Sequence, residues 1–370
     1  MKKLLILFGI FSLFFTQEAF AFDTSAECAY LINADTGEVL YEKNANTRHL
    51  IASTTKIMTA IVALENAQLS DIATVSQNAQ NQEGSSVYLR EGEKIEIKSL
   101  LYGMMLNSGN DAACVIAEHI GGDVETFAKM MTQKAVELGA KNSSFKNPNG
   151  LDEEGHYSTA SDLAKITAYA LKNEIFREIV STKTAEINTG SSICYLKNQN
   201  KLLWNYDGCI GVKTGYTKAG GRSLVSAAVR DGITLIAVTL NAPDDWNDHK
   251  KMLDYGFSKT QKFFLIEKGQ ILKEFNNNTI SFNMVAENEV TYSATGEMTN
   301  SFEVILHTIK NPTVNIDKGE KVGYAECLLG KKLIAQVDIV ADRNVEILQT
   351  DEKRGFFDTV LKIFNLLLLK

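Results

Sequence analysis

Three short stretches of the sequence carry side chains that can act together. The first is "ASTTKIMTAIVALENA", where Ser53 is followed three residues later by Lys56 and then by an uncharged run from Ile57 to Leu64. Residues i and i+3 share a helix face one turn apart, so the amine of Lys56 can reach the hydroxyl of Ser53. Lysine ordinarily titrates near ~10.4 and is a poor base at neutral pH. Burial in an apolar helix disfavours the cation, and a second lysine nearby does the same. Bringing the pKa to about 7 takes roughly 4 kcal/mol of differential destabilisation, which a buried site can supply. A Ser–Lys pair then performs nucleophilic catalysis without histidine. Taken alone, S-x-x-K also reads as an N-cap serine beside a snorkelling lysine.

The second stretch is Ser108, Gly109 and Asn110, at a helix break where a short polar turn can enter a cleft. The third is Lys213, Thr214 and Gly215, ahead of the strands that follow Leu202. The order S-x-x-K, S-x-N, K-T-G is the signature of the penicillin-recognising serine enzymes. No G-x-S-x-G elbow competes for the role. The five histidines show no H-E-x-x-H spacing, so neither a metal nor a cofactor is expected. Five cysteines without a C-x-x-C argue against a disulfide framework; Cys194 and Cys209 are the pair that a hairpin could join.

The elements that must position these residues follow from patterning. "CAYLINADTGEVLYEKNANTRH" reads as two strands around a turn at Asp35, Thr36 and Gly37. The helix from Ser53 is apolar nearly all round and belongs inside the protein. Residues 71–98 are polar, with strand-like pieces such as "SSVYL". Helices follow at "SLLYGMML", "DAACVIAEHIGG", "DVETFAKMMTQKAVELG", with Asp123 as cap and Gly139 as stop, and "STASDLAKITAYALKN". "GRSLVSAAVRDG" and "ITLIAVTLNA" are strands joined at Asp231 and Gly232, a hairpin signal. "DDWNDHKKMLDYGFSKTQKFF" reads as one helix. The expected fold class is α+β: one antiparallel sheet covered by helices, with strands from both ends of the domain and a helical subdomain inserted between them. A small all-β domain follows, with runs such as "TISFNMVAE", "SFEVILHT" and "KLIAQVDIVAD".

The chain has 370 residues, enough for about two domains. Its net charge of -7, with no basic aromatic-laced stripe, argues against a nucleic-acid partner. Residues 1–21 read as a secretory signal peptide: Lys2 and Lys3, an apolar stretch too short to span a bilayer, then Ala19, Phe20 and Ala21 as an A-x-A site. The expected division is 22–265 for the catalytic domain, 266–350 for the β domain and 351–370 for an amphipathic helix. That tail, "GFFDTVLKIFNLLLLK", is too short to span comfortably and reads as an interfacial anchor on a membrane surface.

With these motifs in this order, the chain resembles the low-molecular-mass penicillin-binding proteins, the serine-type D-Ala-D-Ala carboxypeptidases. Besides the three triplets, "LLYGMMLNSGNDAACVIAEHIGG", "FKNPNGLDEEGHYSTASDLAKI", "NKLLWNYDGCIGVKTGYTKAGGRSLVSAA" and "DWNDHKKMLDYGF" are similar to that family. The resemblance covers most of residues 25–265 and implies a β-lactamase/transpeptidase-like fold. It implies a peptidoglycan stem peptide ending in D-Ala-D-Ala as substrate and β-lactam antibiotics as covalent inhibitors. It also implies roles. Ser53 attacks the carbonyl between the last two D-alanines, and Lys56 takes its proton. Ser108 passes a proton toward the leaving amine, and Asn110 orients the substrate amide and Lys56. Lys213 supplies positive potential, Thr214 bonds the terminal carboxylate, and Gly215 lets the substrate lie along the strand. The backbone N–H groups of Ser53 and Tyr216 form the oxyanion hole.

The chain departs from the family at Tyr216, where some members have histidine, and in "DDWNDHKK", where some carry a carboxylate-binding arginine; Arg222 is the substitute within reach of the sequence. His156, in the family's "HYSTA" stretch, reads as a loop histidine pinning a turn. The rival functions are a class A β-lactamase, disfavoured by the lack of an E-x-x-L-N-like stretch in 150–185, a D,D-endopeptidase, and a non-catalytic wall-binding protein.

Overall fold

The uncharged run after Lys56 forms the helix Lys56–Asn66, and every residue from Lys56 to Ala63 is buried. A helix apolar on all sides needs neighbours on all sides. The chain supplies them with the helices Ile97–Leu106, Asn110–Gly121, Val124–Glu137, Ala160–Ala170 and Glu174–Ser181. Their ends follow from local chemistry. Asp123 accepts from the N–H of Thr126 at 2.7 Å, and Thr159 accepts from that of Asp162 at 3.1 Å. Asn110–Gly121 stops at Gly122, which takes a left-handed φ of 79°.

These observations come from a computed structural model that describes residues 22–277, 280–296, 302–309 and 314–346. The expected signal peptide and the expected tail helix lie outside the described residues. Among the described residues, no helix is long and apolar enough to cross a membrane.

The sheet of the first unit is antiparallel and runs, in spatial order, Val39–Lys43, Cys28–Asn33, Ile233–Leu240, Gly221–Arg230, Cys209–Thr217. Its strands come from both ends of the unit with the helical block between, as the pattern implied. Asp231 and Gly232 both have positive φ, 51° and 76°, the geometry of a tight hairpin turn. Both faces are apolar because both are covered. Val225, Ala227, Ile236 and Val238 join the cluster of the helical block. Leu31, Leu235 and Ala237 pack with Met252 and Leu253 of the helix Asp245–Lys259.

Two expectations are corrected, the extent of one helix and the strand character of one polar piece. The run read as one helix through Phe264 ends at Lys259, and Thr260–Ile266 is a strand paired with Val290–Thr295. The chain divides between Lys259 and Thr260. The piece "SSVYL" is irregular rather than a strand. Its N–H groups at Val87 and Leu89 are taken by the Asp111 carboxylate instead of a neighbouring strand. Apart from these, Cys28, Cys114, Cys194, Cys209 and Cys327 are free thiols.

The second unit holds a five-stranded antiparallel sheet in the order Ile271–Asn276, Ser281–Ala286, Lys332–Ala341, Lys321–Leu329, Phe302–Thr308. Its core, with Phe282, Met284, Ala325 and Ile339, is its own.

Candidate active site

Ser53 and Lys56 straddle a junction. Ala52–Thr55 is a 3-10 turn, and the α-helix begins at Lys56. In a 3-10 turn, side chains three apart eclipse, which sets the serine directly before the lysine. Ala52 enters the turn with φ 47°, an uncommon value for a residue with a Cβ. Lys56 is fully buried, and its Nζ lies 2.9 Å from Ser53 Oγ.

Two other contacts define the amine. Nζ donates to Asn110 Oδ1 at 2.6 Å and to the Asn149 carbonyl at 2.6 Å. Both partners only accept. A neutral amine has two N–H bonds and one lone pair. With both hydrogens committed to carbonyl oxygens, the lone pair is left for Ser53 Oγ. The amide orientation of Asn110 is fixed by its own partners, since its Nδ2 donates to the Glu83 carbonyl.

The charge state follows from the surroundings. Burial, then the neighbouring Lys213 ammonium, drives the Lys56 pKa well below that of an ordinary lysine; Asp111 opposes them. Lys213 is also buried, and burial brings it down to about 7. Of the two, Lys56 is the more readily neutral, because it carries the second penalty as well as the first. A neutral buried amine against a hydroxyl can take that hydroxyl's proton.

The third triplet lies on the edge strand Cys209–Thr217, whereas the sequence placed it only ahead of the strands. This strand runs beside the 52–55 turn. A Cβ on Gly215 would stand 3.0 Å from the Ser53 backbone nitrogen and 3.2 Å from the Ile51 carbonyl oxygen. Glycine is what allows strand and turn to meet so closely. Lys213 Nζ donates to the Thr214 carbonyl at 3.0 Å, and Tyr216 is exposed. Ser108 is buried with φ 62°. Arg222 is opposite Tyr216 in the register, and its Nη2 is 3.0 Å from Asp245 Oδ1. Asp245 stands in the helix whose sequence lacks an arginine.

The structure thus brings Ser53, Lys56 and Asn110 into direct hydrogen-bond contact and sets Gly215 against them. His156 behaves as a pin. Its Nδ1 accepts from the Lys146 N–H at 3.1 Å, so Nε2 carries the proton toward Thr55 Oγ1 at 2.8 Å. Burial pushes its pKa down to about 4. Two groups that act on the Lys56 amine escaped the sequence reading. The Asn149 carbonyl is a backbone group, invisible to side-chain spacing, although "NPNG" lies in a stretch that resembles the family. Asp111 directly follows the S-x-N triplet and was read only as part of a helix.

Known proteins share this arrangement of sequence and fold. The family described as D-alanyl-D-alanine carboxypeptidase matches residues 15–244. The domain described as penicillin-binding protein 5, C-terminal domain, matches residues 261–347. The D-alanyl-D-alanine carboxypeptidase DacF of Bacillus subtilis is 35% identical over 98% of this chain and 97% of its own. The crystal structure of penicillin binding protein 5 from Haemophilus influenzae superposes with a TM-score of 0.64 at 27% identity, covering 88% of this chain and 98% of that one. A serine-to-alanine mutant of the Streptomyces K15 DD-transpeptidase gives 0.60 at 38% identity, covering 64% of this chain and 99% of that one. Matched by the family over more than half its length, and by a full-length relative besides, the chain belongs to the D-alanyl-D-alanine carboxypeptidase family.

Proposed function

We propose that the protein is a serine-type D-Ala-D-Ala carboxypeptidase that removes the terminal D-alanine from peptidoglycan pentapeptide stems through a Ser53 acyl-enzyme. The observation that carries this is the fully buried Lys56 amine, 2.9 Å from Ser53 Oγ and 2.6 Å from both Asn110 Oδ1 and the Asn149 carbonyl oxygen. Lys56 Nζ takes the Ser53 proton as Oγ bonds to the carbonyl carbon between the two D-alanines. The backbone N–H groups of Ser53 and Tyr216 hold the oxyanion. The C–N bond then breaks. The proton held by Lys56 passes through Ser108 to the departing amine, which leaves as D-alanine. Lys56 next takes a proton from water, whose oxygen attacks the ester carbonyl; as the bond to Oγ breaks, Lys56 gives that proton to Ser53 Oγ, and the shortened stem leaves as its carboxylic acid. Asn110 orients Lys56 and the substrate amide. Lys213 attracts the terminal carboxylate, Thr214 hydrogen-bonds to it, and Gly215 leaves room for the peptide along the edge strand. β-Lactams enter by the same acylation and deacylate slowly.

Residues 1–21 would direct export, and the helix at 351–370 would hold the enzyme on the outer face of the cytoplasmic membrane. The test is incubation with a pentapeptide ending in D-Ala-D-Ala. Free D-alanine is expected from the wild type and none from Ser53→Ala, with labelled penicillin attached at Ser53. D-alanine release that persists in Ser53→Ala would overturn the assignment.

A further inference from the structure

Asp111 is fully buried, and the catalytic roles above leave it unused. Its carboxylate gathers four donors. Ser86 Oγ donates at 2.6 Å, Val87 N–H at 3.1 Å, Leu89 N–H at 3.1 Å and the Ala112 N–H at 2.9 Å. Three of these belong to residues 86–89, a stretch with no strand partner of its own. Tyr88 within it has φ 62°, a strained value that the surrounding contacts must maintain.

The residues just before this stretch hold both acceptors of the Lys56 amine. The Glu83 carbonyl accepts from Asn110 Nδ2, and the Ser85 carbonyl accepts from Asn110 N–H at 2.7 Å. Gln82 Oε1 accepts from Asn149 Nδ2 at 2.8 Å. The fit is tight on both sides. A Cβ on Gly84 would stand 2.8 Å from Asn110 Nδ2, and one on Gly109 would stand 2.9 Å from Asp111 Oδ1. A single carboxylate therefore anchors the segment that aims Asn110 and Asn149 at Lys56.

We propose that Asp111 is a positioning residue for the acylation step: by clasping residues 86–89 it holds the 82–85 segment, and so presents Asn110 Oδ1 and the Asn149 carbonyl to the Lys56 amine. The inference rests on the reading of Lys56 as the base. Its negative charge also acts on Lys56, favouring the ammonium against burial and Lys213. The titratable groups around Asp111 are Lys56 on the central helix, Cys114 one turn along its own helix, and Cys194 on the hairpin strand Ile193–Lys197. Burial raises both thiols, so they stay protonated and add no charge at neutral pH.

The experiment is acylation of the full chain by a labelled penicillin from pH 5 to 9, with thermal melts as a control of folding. Asp111→Asn keeps the shape but sets an amide nitrogen against backbone N–H groups and removes the charge. The plateau rate is expected to fall roughly 10- to 100-fold, the scale of a misplaced catalytic group. Its acid limb should move to lower pH, because Lys56 loses the charge that favours its ammonium. Ser86→Ala loosens the clasp without changing the charge, so its plateau should fall severalfold with the acid limb unmoved. A folded Asp111→Asn with the wild-type plateau, or with a lower plateau and an unmoved acid limb, overturns the positioning role and leaves the proposed reaction standing. If Asp111→Asn does not fold, an unchanged plateau in Ser86→Ala overturns it. Failure of the wild type to acylate at Ser53 overturns both.

Discussion

At the scale of single residues, the unusual investment is two buried lysines in one site. Among the described residues neither has a carboxylate partner within salt-bridge distance, although Asp111 is close enough to influence Lys56. The second lysine therefore tunes the first. Lys213→Ala removes the neighbouring ammonium, so Lys56 holds its proton more tightly and the acid limb of acylation should move to higher pH. The plateau should fall about 100-fold as the positive potential at the substrate carboxylate is lost. Acylation rates measured across pH separate the two effects. Stability responds as well. Burial brings folded Lys213 down to about 7, whereas the unfolded residue titrates at ~10.4. Between those values the unfolded chain binds a proton that the folded chain has released, so stability rises with pH through that window. Lys56, also lowered by burial, acts in the same sense. Lys213→Met should flatten part of that rise and be more stable than the wild type at pH 7, by on the order of a few kcal/mol. Urea melts at pH 7 and pH 9 read the difference.

At the scale of elements, the site is where three irregular pieces meet a regular one: the 52–55 turn, the 107–110 turn and the 147–150 turn around the start of the central helix. Gly150 is the tightest joint. It has φ +89°, and a Cβ there would stand 2.0 Å from the Ala52 carbonyl oxygen. Gly150→Ala must displace either the turn that carries Ser53 or the carbonyl of Asn149. A loss of roughly 2–3 kcal/mol and abolished acylation are expected, read by denaturant melts and labelled penicillin. Gly37 offers the contrast, with φ +76° and nothing within 4 Å. Gly37→Ala should cost about 1 kcal/mol and leave acylation unchanged.

These joints also show what the sequence could and could not reveal. S-x-x-K, S-x-N and K-T-G are side-chain patterns, and they were legible because side chains are what a sequence prints. The sheet was legible too, through the short apolar runs Gly221–Arg230 and Ile233–Leu240 and the turn at Asp231 and Gly232 between them. The Asn149 carbonyl was not, since any residue type could supply it. "SSVYL" has strand composition, but its backbone donors are captured by a carboxylate far along the chain, a tertiary effect that local pattern cannot show. "TQKFF" was absorbed into the preceding helix because its aromatic residues continue an apolar face. Its true partner, Val290–Thr295, lies well downstream.

At the scale of the whole molecule, the chain is two units with separate cores. Every residue of the two clusters built on the first sheet lies before Lys259, and every residue of the third lies after Thr260. No group assigned to the reaction comes from the second unit. A domain with its own core can in principle fold alone. Residues 22–259 expressed alone should therefore fold and be acylated by penicillin at the rate of the full chain. In residues 22–346, calorimetry should show two transitions, and bound penicillin should raise only the one that the isolated first unit also displays. A fragment that folds but acylates slowly would mean that the second unit shapes the site from outside it. A single transition, raised as a whole by the inhibitor, would mean that the two cores melt together. Independent behaviour would instead leave the β unit free for work other than catalysis.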